Sequence, residues 1–298
     1  MQSCEVSIIT PHFNRSDVVK NSILSVVNQT FENWELIVVD DFSDDVDQLE
    51  LFISELGDPR IQLIKHTENL NGAQARNSGL SIAKGKYVAF LDSDDLWAPT
   101  KLETQLAKPL ADNEIRYCKL RCYNSLTPDN IVFLPERGMR GGERLSSYLF
   151  SHNGIVQTSG LILPLAFAKQ IMFNPKLRRH QDYDFLLRAE SLGGQFVFSE
   201  KALVDYIWIG TETIAKKSIS VQRSLDWLQE YKVYFETKDI NGFLNKEVVA
   251  TAIRTGKLPK LLGYGLRNLS FRENIKLYSN ITKKFLSLST NKLRRLIK

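Results

Sequence analysis

The sequence has little cysteine: Cys4, Cys118 and Cys122 are the only three, and an odd number cannot form a closed set of disulfides. Although Cys118 and Cys122 stand close together, no second pair of Cys or His follows at the spacing of a zinc site. Buried free thiols in a reducing compartment are therefore expected. The N-terminus also lacks the basic, apolar and small-residue order of a signal peptide, which favours the cytoplasm.

Long apolar runs and glycine-rich phosphate loops are missing as well. The apolar stretch "GLILPLAFA" is interrupted by Pro164 and followed by Lys169. It falls short of the roughly 18 residues that a membrane-spanning helix needs. No G-x-x-x-x-G-K or G-x-G-x-x-G motif occurs, which excludes a P-loop and a dinucleotide-binding loop.

The net charge of +5 conceals two regions of opposite sign. From Arg254 onward there are 12 Lys or Arg against the single acid Glu273, which leaves 27 basic and 33 acidic residues before it. A helical pattern from Asn274 places apolar residues on one face, namely Leu277, Tyr278, Ile281, Phe285 and Leu288, opposite Lys276, Lys283, Arg294 and Lys298. This pattern predicts a basic amphipathic helix on an anionic membrane surface, with packing against the acidic body as the alternative.

Short apolar runs alternate with helical periods over the first hundred residues. We predict strands at 6–10, 34–40, 61–65 and 87–92, and helices at about 17–28, 46–55 and 73–83. Such alternation predicts an α/β fold with a mostly parallel sheet flanked by helices. Strands and loops follow from about residue 115, then a helix at about 183–191, a strand at 195–200 and helices from about 219. We expect a domain at 1–220, in halves 1–115 and 116–220, and a helical appendage at 221–298.

Polar segments follow each of the first strands: "TPHFNR", "DDFSDD", "HTENLNGAQARN" and "DSDD". Ligands of open α/β sheets bind beyond the carboxyl ends of the strands, so these segments should meet at one crevice. In "FLDSDDLW", the carboxylates of Asp92, Asp94 and Asp95 repel one another unless a cation offsets them. Their spacing suits Mg²⁺ or Mn²⁺, which commonly bind a ligand's phosphates too. A solvated acidic turn at a helix start is the alternative.

Five segments in this order resemble glycosyltransferase family 2, whose members have the GT-A (Rossmann-like) fold: "VSIITPHFNR", "WELIVVDDFS", "NGAQARNSGL", "GKYVAFLDSDDLW" and "QDYDFLLR". The resemblance covers about residues 4 to 220 and is specific as a set. It implies an inverting, non-processive transferase that moves a hexosyl or N-acetylhexosaminyl group from a nucleotide-diphosphate sugar, with uridine expected. The implied acceptor is a hydroxyl of a glycan or lipid-linked saccharide in bacterial O-antigen, capsule or exopolysaccharide synthesis, at the inner face of the cell membrane. No nucleic-acid partner is implied, and the oligomeric state stays open.

The resemblance also implies the donor-binding side chains. Pro11 and Phe13 would contact the base, and Asp41, with Asp40 as the less favoured choice, would accept a hydrogen bond from the base or ribose. Arg76 would pair with the diphosphate or steady the aspartates. Core packing of Phe13 and a surface salt bridge at Arg76 are the structural alternatives. The full implied donor set is Pro11, Phe13, Asn14, Asp41, Arg76, Asp92, Ser93 and Asp94, with Asp94 and either Asp92 or Asp95 holding a divalent metal (Mn²⁺ or Mg²⁺).

"RRHQDYDFLLR" matches the family segment that carries the catalytic base. The match implies Asp182 as that base, with Gln181 in place of the Glu that often precedes it and Asp184 as the local competitor. Asp182 could equally cap the following helix, and both roles can coexist. Lys216 and Lys217 would reach the phosphates on loop closure, unless they are simply solvated.

Two other functions compete with this interpretation. "FLDSDD" also resembles the nucleophile motif of haloacid dehalogenase-like phosphatases, but that motif normally lies on the first strand, with Thr or Val after its second acid. A catalytically silent sugar-nucleotide-binding protein is the main alternative. Gln181, and Trp208 where a more polar residue is common, fit a loss of activity.

Overall fold

The computed structural model describes residues 4–208 and 220–296, with side chains for 4–207 and 220–288. Four basic residues with predicted roles lie outside the described side chains, namely Lys216, Lys217, Arg294 and Lys298, as does the side chain of Trp208. Cys118 and Cys122 are buried free thiols, as predicted. No helix in the described ranges combines the length and apolarity that crossing a membrane requires.

The first part of the chain forms the alternating elements that the sequence predicts, with boundaries within one or two residues. They are β1 (Val6–His12), α1 (Ser16–Val27), β2 (Trp34–Asp40), α2 (Val46–Leu56), β3 (Ile61–Lys65), α3 (Gly72–Ile82) and β4 (Tyr87–Phe90). The following elements are β5 (Leu96–Trp97), α4 (Lys101–Gln105), β6 (Glu114–Asn124), β7 (Thr127–Leu134), β8 (Ile162–Pro164), α5 (Leu165–Ile171), α6 (Gln181–Ser191) and β9 (Gln195–Trp208).

These strands form one mixed sheet in the order β3-β2-β1-β4-β8-β6-β9-β5, with β7 paired to β6. Strands β3, β2, β1 and β4 are parallel, as predicted, whereas β8 runs antiparallel to β4. On β1, Ile8 pairs with Leu36 on one side and with Ala89 on the other. The carboxyl ends of β1, β2 and β4 therefore reach the same edge of the sheet, and the polar segments that follow them come together there.

Helices cover both faces of the parallel strands. On one face, Ile8 belongs to a buried cluster that includes Val19 and Ile23 of α1. The neighbouring Ile9 points to the opposite face, where α3 packs so closely that a Cβ on Gly79 would lie 2.5 Å from Ile9 Cγ2. Because both faces are buried, the strands read as continuous apolar runs rather than alternating patterns.

The chain forms two compact units: Met1–Gly141 with Gly154–Thr213, and Gly142–Asn153 with Ile214–Lys298. The first contains the sheet. The predicted domain 1–220 includes residues 142–153, which pack within the second unit. Its helices are α7 (Val221–Glu230), α8 (Thr237–Phe243), α9 (Ala250–Arg254), α10 (Leu258–Asn268) and α11 (Phe271–Leu296), with π-helical turns at Ser147–Ser151 and Leu244–Val249.

A buried acid and an aromatic cluster explain why residues 142–153 join the second unit. The carboxylate of Asp239 is buried and accepts hydrogen bonds from the hydroxyls of Ser146, Ser147 and Ser151 at 2.6–3.0 Å. Phe150 stacks on Phe235 with the ring centroids 5.1 Å apart. These contacts join segments that are far apart in sequence, so no local pattern predicts them.

Candidate functional site

Two arginines supply the positive charge that the acidic turn after β4 requires. Asp92 Oδ1 accepts a hydrogen bond from Arg76 Nη2 at 2.5 Å, and Asp94 Oδ2 accepts one from Arg15 Nη1 at 2.5 Å. The side chains of Asp92 and Asp94 are 26% and 28% exposed, so both remain within reach of a ligand. The sequence predicted a role for Arg76, whereas Arg15 was not singled out.

Asp95 is the interior member of the acidic turn. Its Oδ2 accepts hydrogen bonds from Ser159 Oγ at 2.6 Å and Gln157 Nε2 at 2.8 Å. Its Oδ1 is buried and has no hydrogen-bond partner among the described residues. Burial, reinforced by the negative charges of Asp92 and Asp94, raises the pKa of Asp95 well above the usual value. Its predicted place in a metal site stays a prediction.

The donor atoms of this turn fit a hard divalent cation that shares its coordination with a bound ligand. Burial raises the pKa of Asp94 and the charge of Asp92 raises it further, whereas Arg15 lowers it. Within the described part of the chain, no group of three or more His, Cys, Asp or Glu side chains could hold a metal ion. Mg²⁺ is commonly bound by only one or two carboxylates, with phosphates and water completing the shell, so Asp94 with Asp92 would suffice.

The loop after β1 is fastened to the end of β2 through a buried histidine. His12 Nδ1 lies 2.8 Å from Asp40 Oδ1, and the backbone N–H of Arg15 donates to His12 Nε2 at 3.2 Å. Burial alone would raise the pKa of Asp40, but hydrogen bonds from His12 and Ser43 outweigh it and lower the pKa. Asp40 is thus an ionised acid that holds the loop carrying Arg15.

The carboxylate of Asp41 fastens the loop before α3, as Asp40 fastens the loop after β1. Its Oδ1 accepts from the Leu70 N–H at 2.8 Å and lies 2.9 Å from His66 Nδ1, while its Oδ2 accepts from the Asn71 N–H at 2.7 Å. His66 Nε2 in turn lies 2.9 Å from Ser78 Oγ on α3. The carboxylate therefore fixes the 66–71 loop. Its hydrogen bond to a base or ribose stays a prediction.

The remaining predicted donor contacts lie on the same loops. Pro11 and Phe13 are only half-buried, so Phe13 is not part of the buried core. Asn14 is exposed with a positive φ of 51°, and its side-chain oxygen accepts from the Asp44 N–H at 2.8 Å. Ser93 is half-buried between the two accessible aspartates. Contact of these four residues with a donor remains to be tested.

Arg76 joins α3 to the start of α6. Its side chain is 12% exposed, and its guanidinium donates to Gln181 Oε1 at 3.3 Å, besides its bond to Asp92. The amide nitrogen of Gln181 donates to the carbonyl of Leu177 at 2.6 Å and to Asn71 Oδ1 at 3.3 Å. Since the Arg76 side chain is largely buried in this network, the alternative of a surface salt bridge is wrong.

The two acids of α6 lie in different environments. The helix begins at Gln181 after His180, whose φ is 61°, so Asp182 lies inside the first turn and the N-cap alternative is wrong. Asp182 is half-buried, whereas Asp184 is fully buried and paired with Arg188 Nη2 at 2.5 Å. Because Asp184 is engaged in this interior ion pair, Asp182 is the better placed of the two to meet a ligand.

The hydroxyl of Tyr206 on β9 is subject to the charges of both Asp182 and the acidic turn. Burial raises the pKa of its hydroxyl, and the negative charges of Asp95, Asp92, Asp94 and Asp182 raise it further. The geometric link between α6 and the acidic turn is Arg76, which bonds to Asp92 and to Gln181, the residue before Asp182. No local pattern indicates Tyr206, because it follows the acidic turn by more than a hundred residues.

Comparisons with known proteins agree with this geometry. Residues 7–145 match the model of glycosyl transferase family 2. The amylovoran biosynthesis glycosyltransferase AmsB of Erwinia amylovora is 31% identical over 246 residues, which are 80% of this chain and 82% of that protein. The UDP-Glc:alpha-D-GlcNAc-diphosphoundecaprenol beta-1,3-glucosyltransferase WfgD of Escherichia coli is 44% identical over 108 residues, but these are 36% of this chain and only 42% of WfgD.

A solved structure shares the fold at low sequence identity. S. aureus TarS 1–349 in complex with UDP-GlcNAc superposes with a TM-score of 0.61 and 19% identity, covering 94% of this chain and 80% of that one. At this identity the likeness concerns the fold alone. It confirms the predicted GT-A architecture.

Proposed function

Because the chain belongs to glycosyltransferase family 2, we propose that it transfers a sugar from a UDP-sugar to a hydroxyl of a glycan or lipid-linked acceptor, non-processively and with inversion at the anomeric carbon. The observation that carries the proposal is the pair of bonds made by Arg76, which donates to Asp92 of the acidic turn and to Gln181, the residue before Asp182. The names of AmsB and WfgD, which refer to amylovoran and to a diphosphoundecaprenol-linked sugar, support a place in bacterial polysaccharide synthesis.

In this proposal Asp182 is the general base. Its carboxylate takes the proton of the acceptor hydroxyl while that oxygen bonds to the anomeric carbon and the bond from carbon to the diphosphate oxygen breaks. Arg76 keeps Asp92 in place and adds positive charge near the departing diphosphate. A divalent cation held by Asp94, with Asp92 or Asp95, would supply further positive charge to that leaving group when bound.

Gln181 supports an active enzyme over a silent binding protein. A change from Glu to Gln removes a charge beside the base. The Gln181 amide nevertheless forms hydrogen bonds with Asn71, Leu177 and Arg76, so residue 181 helps to hold the site together. Asp182 itself is present. The silent binder predicts donor binding without turnover, and hydrolysis of the donor separates the two.

We expect UDP-sugars with Mn²⁺ to raise the melting temperature of the protein more than GDP-sugars do. A ligand at a hundred times its Kd stabilises by about 2.7 kcal/mol. The measurement is a thermal-shift panel of UDP- and GDP-sugars with Mn²⁺ or with a chelator. A preference for guanosine donors would overturn the assignment of the Asp41 loop to uridine, and no shift with any donor would remove the transferase proposal. Slow release of UDP from the best donor would exclude a silent binder.

The exposed stripe of α11 supports the second element of the proposal, a peripheral location on the inner face of the cell membrane. Leu277, predicted on the membrane-facing side, is fully buried and therefore does not face a membrane. Phe271, Ile275, Tyr278 and Phe285 are 84%, 53%, 44% and 55% exposed, and their helical spacing places them on one face. The apolar stripe therefore includes residues that the sequence pattern left out.

The helix that carries this apolar stripe also carries basic residues. An apolar face and basic residues on one helix suit an anionic lipid surface. Each Lys or Arg near such a surface contributes about 1 kcal/mol. The basic residues of α11 with described side chains are Arg272, Lys276, Lys283 and Lys284. A membrane contact of this kind would bring the enzyme to a lipid-linked acceptor.

We expect the full chain to co-sediment with anionic liposomes at low salt and to dissociate as salt rises. The triple variant Phe271→Ser, Ile275→Ser, Phe285→Ser should lose most of this binding, because it removes the apolar stripe and keeps every charge. The matched control is Val132→Ser with Phe133→Ser on β7, where the side chains are also 48% and 51% exposed. Equal sedimentation of both variants, or none by the wild type, would contradict a membrane role for α11.

A further inference from the structure

Arg15 holds the carboxylate that the proposed function assigns to a metal. Its Nη1 lies 2.5 Å from Asp94 Oδ2, and the two side chains are 21% and 28% exposed. Asp92, the other accessible acid of the turn, has its own guanidinium partner in Arg76. A divalent cation at Asp94 would therefore compete with Arg15 for the same oxygen.

The backbone of Arg15 is fixed, whereas its side chain is long enough to change partners. The Arg15 N–H donates to buried His12, and its carbonyl accepts from the N–H groups of Val18 and Val19 in the first turn of α1. A guanidinium released from Asp94 would stay beside the acidic turn, within reach of whatever the turn binds. Guanidinium groups pair with phosphate oxygens in a bidentate manner.

We propose that Arg15 is a donor-binding residue that exchanges partners: it neutralises Asp94 when no donor is bound, and it pairs with the diphosphate when a divalent cation takes Asp94. The proposal rests on the proposed function. The exchange makes the metal and the nucleotide bind cooperatively. A cation at Asp94 releases Arg15 for the diphosphate, and a diphosphate that pairs with Arg15 leaves Asp94 free for the cation. By linkage, UDP must then strengthen Mn²⁺ binding by the same factor as Mn²⁺ strengthens UDP binding.

The variant Arg15→Gln tests the exchange without an activity assay. Mn²⁺ alone, measured by electron paramagnetic resonance, should bind about tenfold more tightly to this variant, because the guanidinium that competes for Asp94 is gone. UDP in the presence of Mn²⁺, measured by calorimetry, should bind about tenfold more weakly, which is the value of one charge-assisted hydrogen bond. The control Lys20→Gln removes a basic residue of α1 that pairs with exposed Asp17 at 3.6 Å, and it should change neither affinity.

A second variant tests the same exchange from the other side. Asp94→Asn frees Arg15, so UDP should bind more tightly than to the wild type in the presence of a chelator. Weaker or equal metal-free binding in Asp94→Asn, or unchanged cooperativity in Arg15→Gln, would overturn the proposal while leaving the transferase intact. Absence of nucleotide binding by the wild type would instead remove the proposed function and this inference together. Circular dichroism on both variants establishes that they are folded.

Discussion

Asp182→Asn is expected to lower kcat by about 10²- to 10⁴-fold, the usual contribution of a general base, while the UDP-sugar binds with unchanged affinity. Asparagine keeps the size and the helical position of the side chain but cannot take a proton from the acceptor hydroxyl. The measurement combines steady-state kcat for transfer with calorimetric donor affinity. Because Asp182 lies in the first turn of α6 and does not cap it, the substitution should leave the helix intact.

Asp184→Asn is the matched comparison, two residues further along the same helix. Asp184 is fully buried and bonded to Arg188, which also donates to the carbonyl of Met172 at 2.7 Å. Removing one partner of a buried ion pair costs about 3–5 kcal/mol, so this variant should lose stability, whereas its folded fraction keeps the wild-type rate. A full rate in Asp182→Asn together with a lost rate in folded Asp184→Asn would move the base to Asp184.

The parallel half of the sheet could be predicted because its residues are buried on both faces and read as apolar runs. The boundaries of β2 and β3 agree with the prediction to the residue. The place of the short β8 in the sheet could not be predicted in this way, since it depends on pairing with β4, such as Val88 with Leu163, and with β6 through Arg116 and Ile162. The packing of residues 142–153 within the second unit could not be predicted for the same reason, because it depends on contacts such as that between Ser146 and Asp239.

The candidate site likewise has a part that local sequence patterns predict and a part that depends on contacts between distant segments. The aspartates of the acidic turn could be predicted because they follow a strand and the carboxyl ends of parallel strands meet, whereas the role of Arg76 was implied by the family resemblance. Arg15 lies 79 residues before Asp94, and Ser159 lies 64 residues after Asp95, so neither partnership leaves a local pattern. What the sequence predicted as a single cluster is an accessible pair of acids held by arginines and an interior acid held by Ser159 and Gln157.

Asp94→Asn is expected to abolish metal-dependent transfer, with a loss of about 10³-fold or more, because it removes a ligand of the cation that offsets the leaving diphosphate. The expected effect on stability has the opposite sign. The pKa of Asp94 is raised, so at neutral pH the ionised carboxylate costs the folded state free energy relative to the unfolded chain. The free energy of unfolding therefore falls as the pH rises from the unfolded-state pKa of Asp94 through its folded-state pKa. Asparagine does not ionise, so the variant avoids this loss.

The melting temperature of Asp94→Asn at pH 7 without metal should consequently equal or exceed that of the wild type. Thermal melts at pH 7 and transfer assays with Mn²⁺ measure the two effects on one preparation. Loss of transfer in a destabilised Asp94→Asn would make Asp94 a structural acid. Loss of transfer in an Asp94→Asn protein as stable as the wild type would mean that Asp94 serves the bound donor while it destabilises the fold.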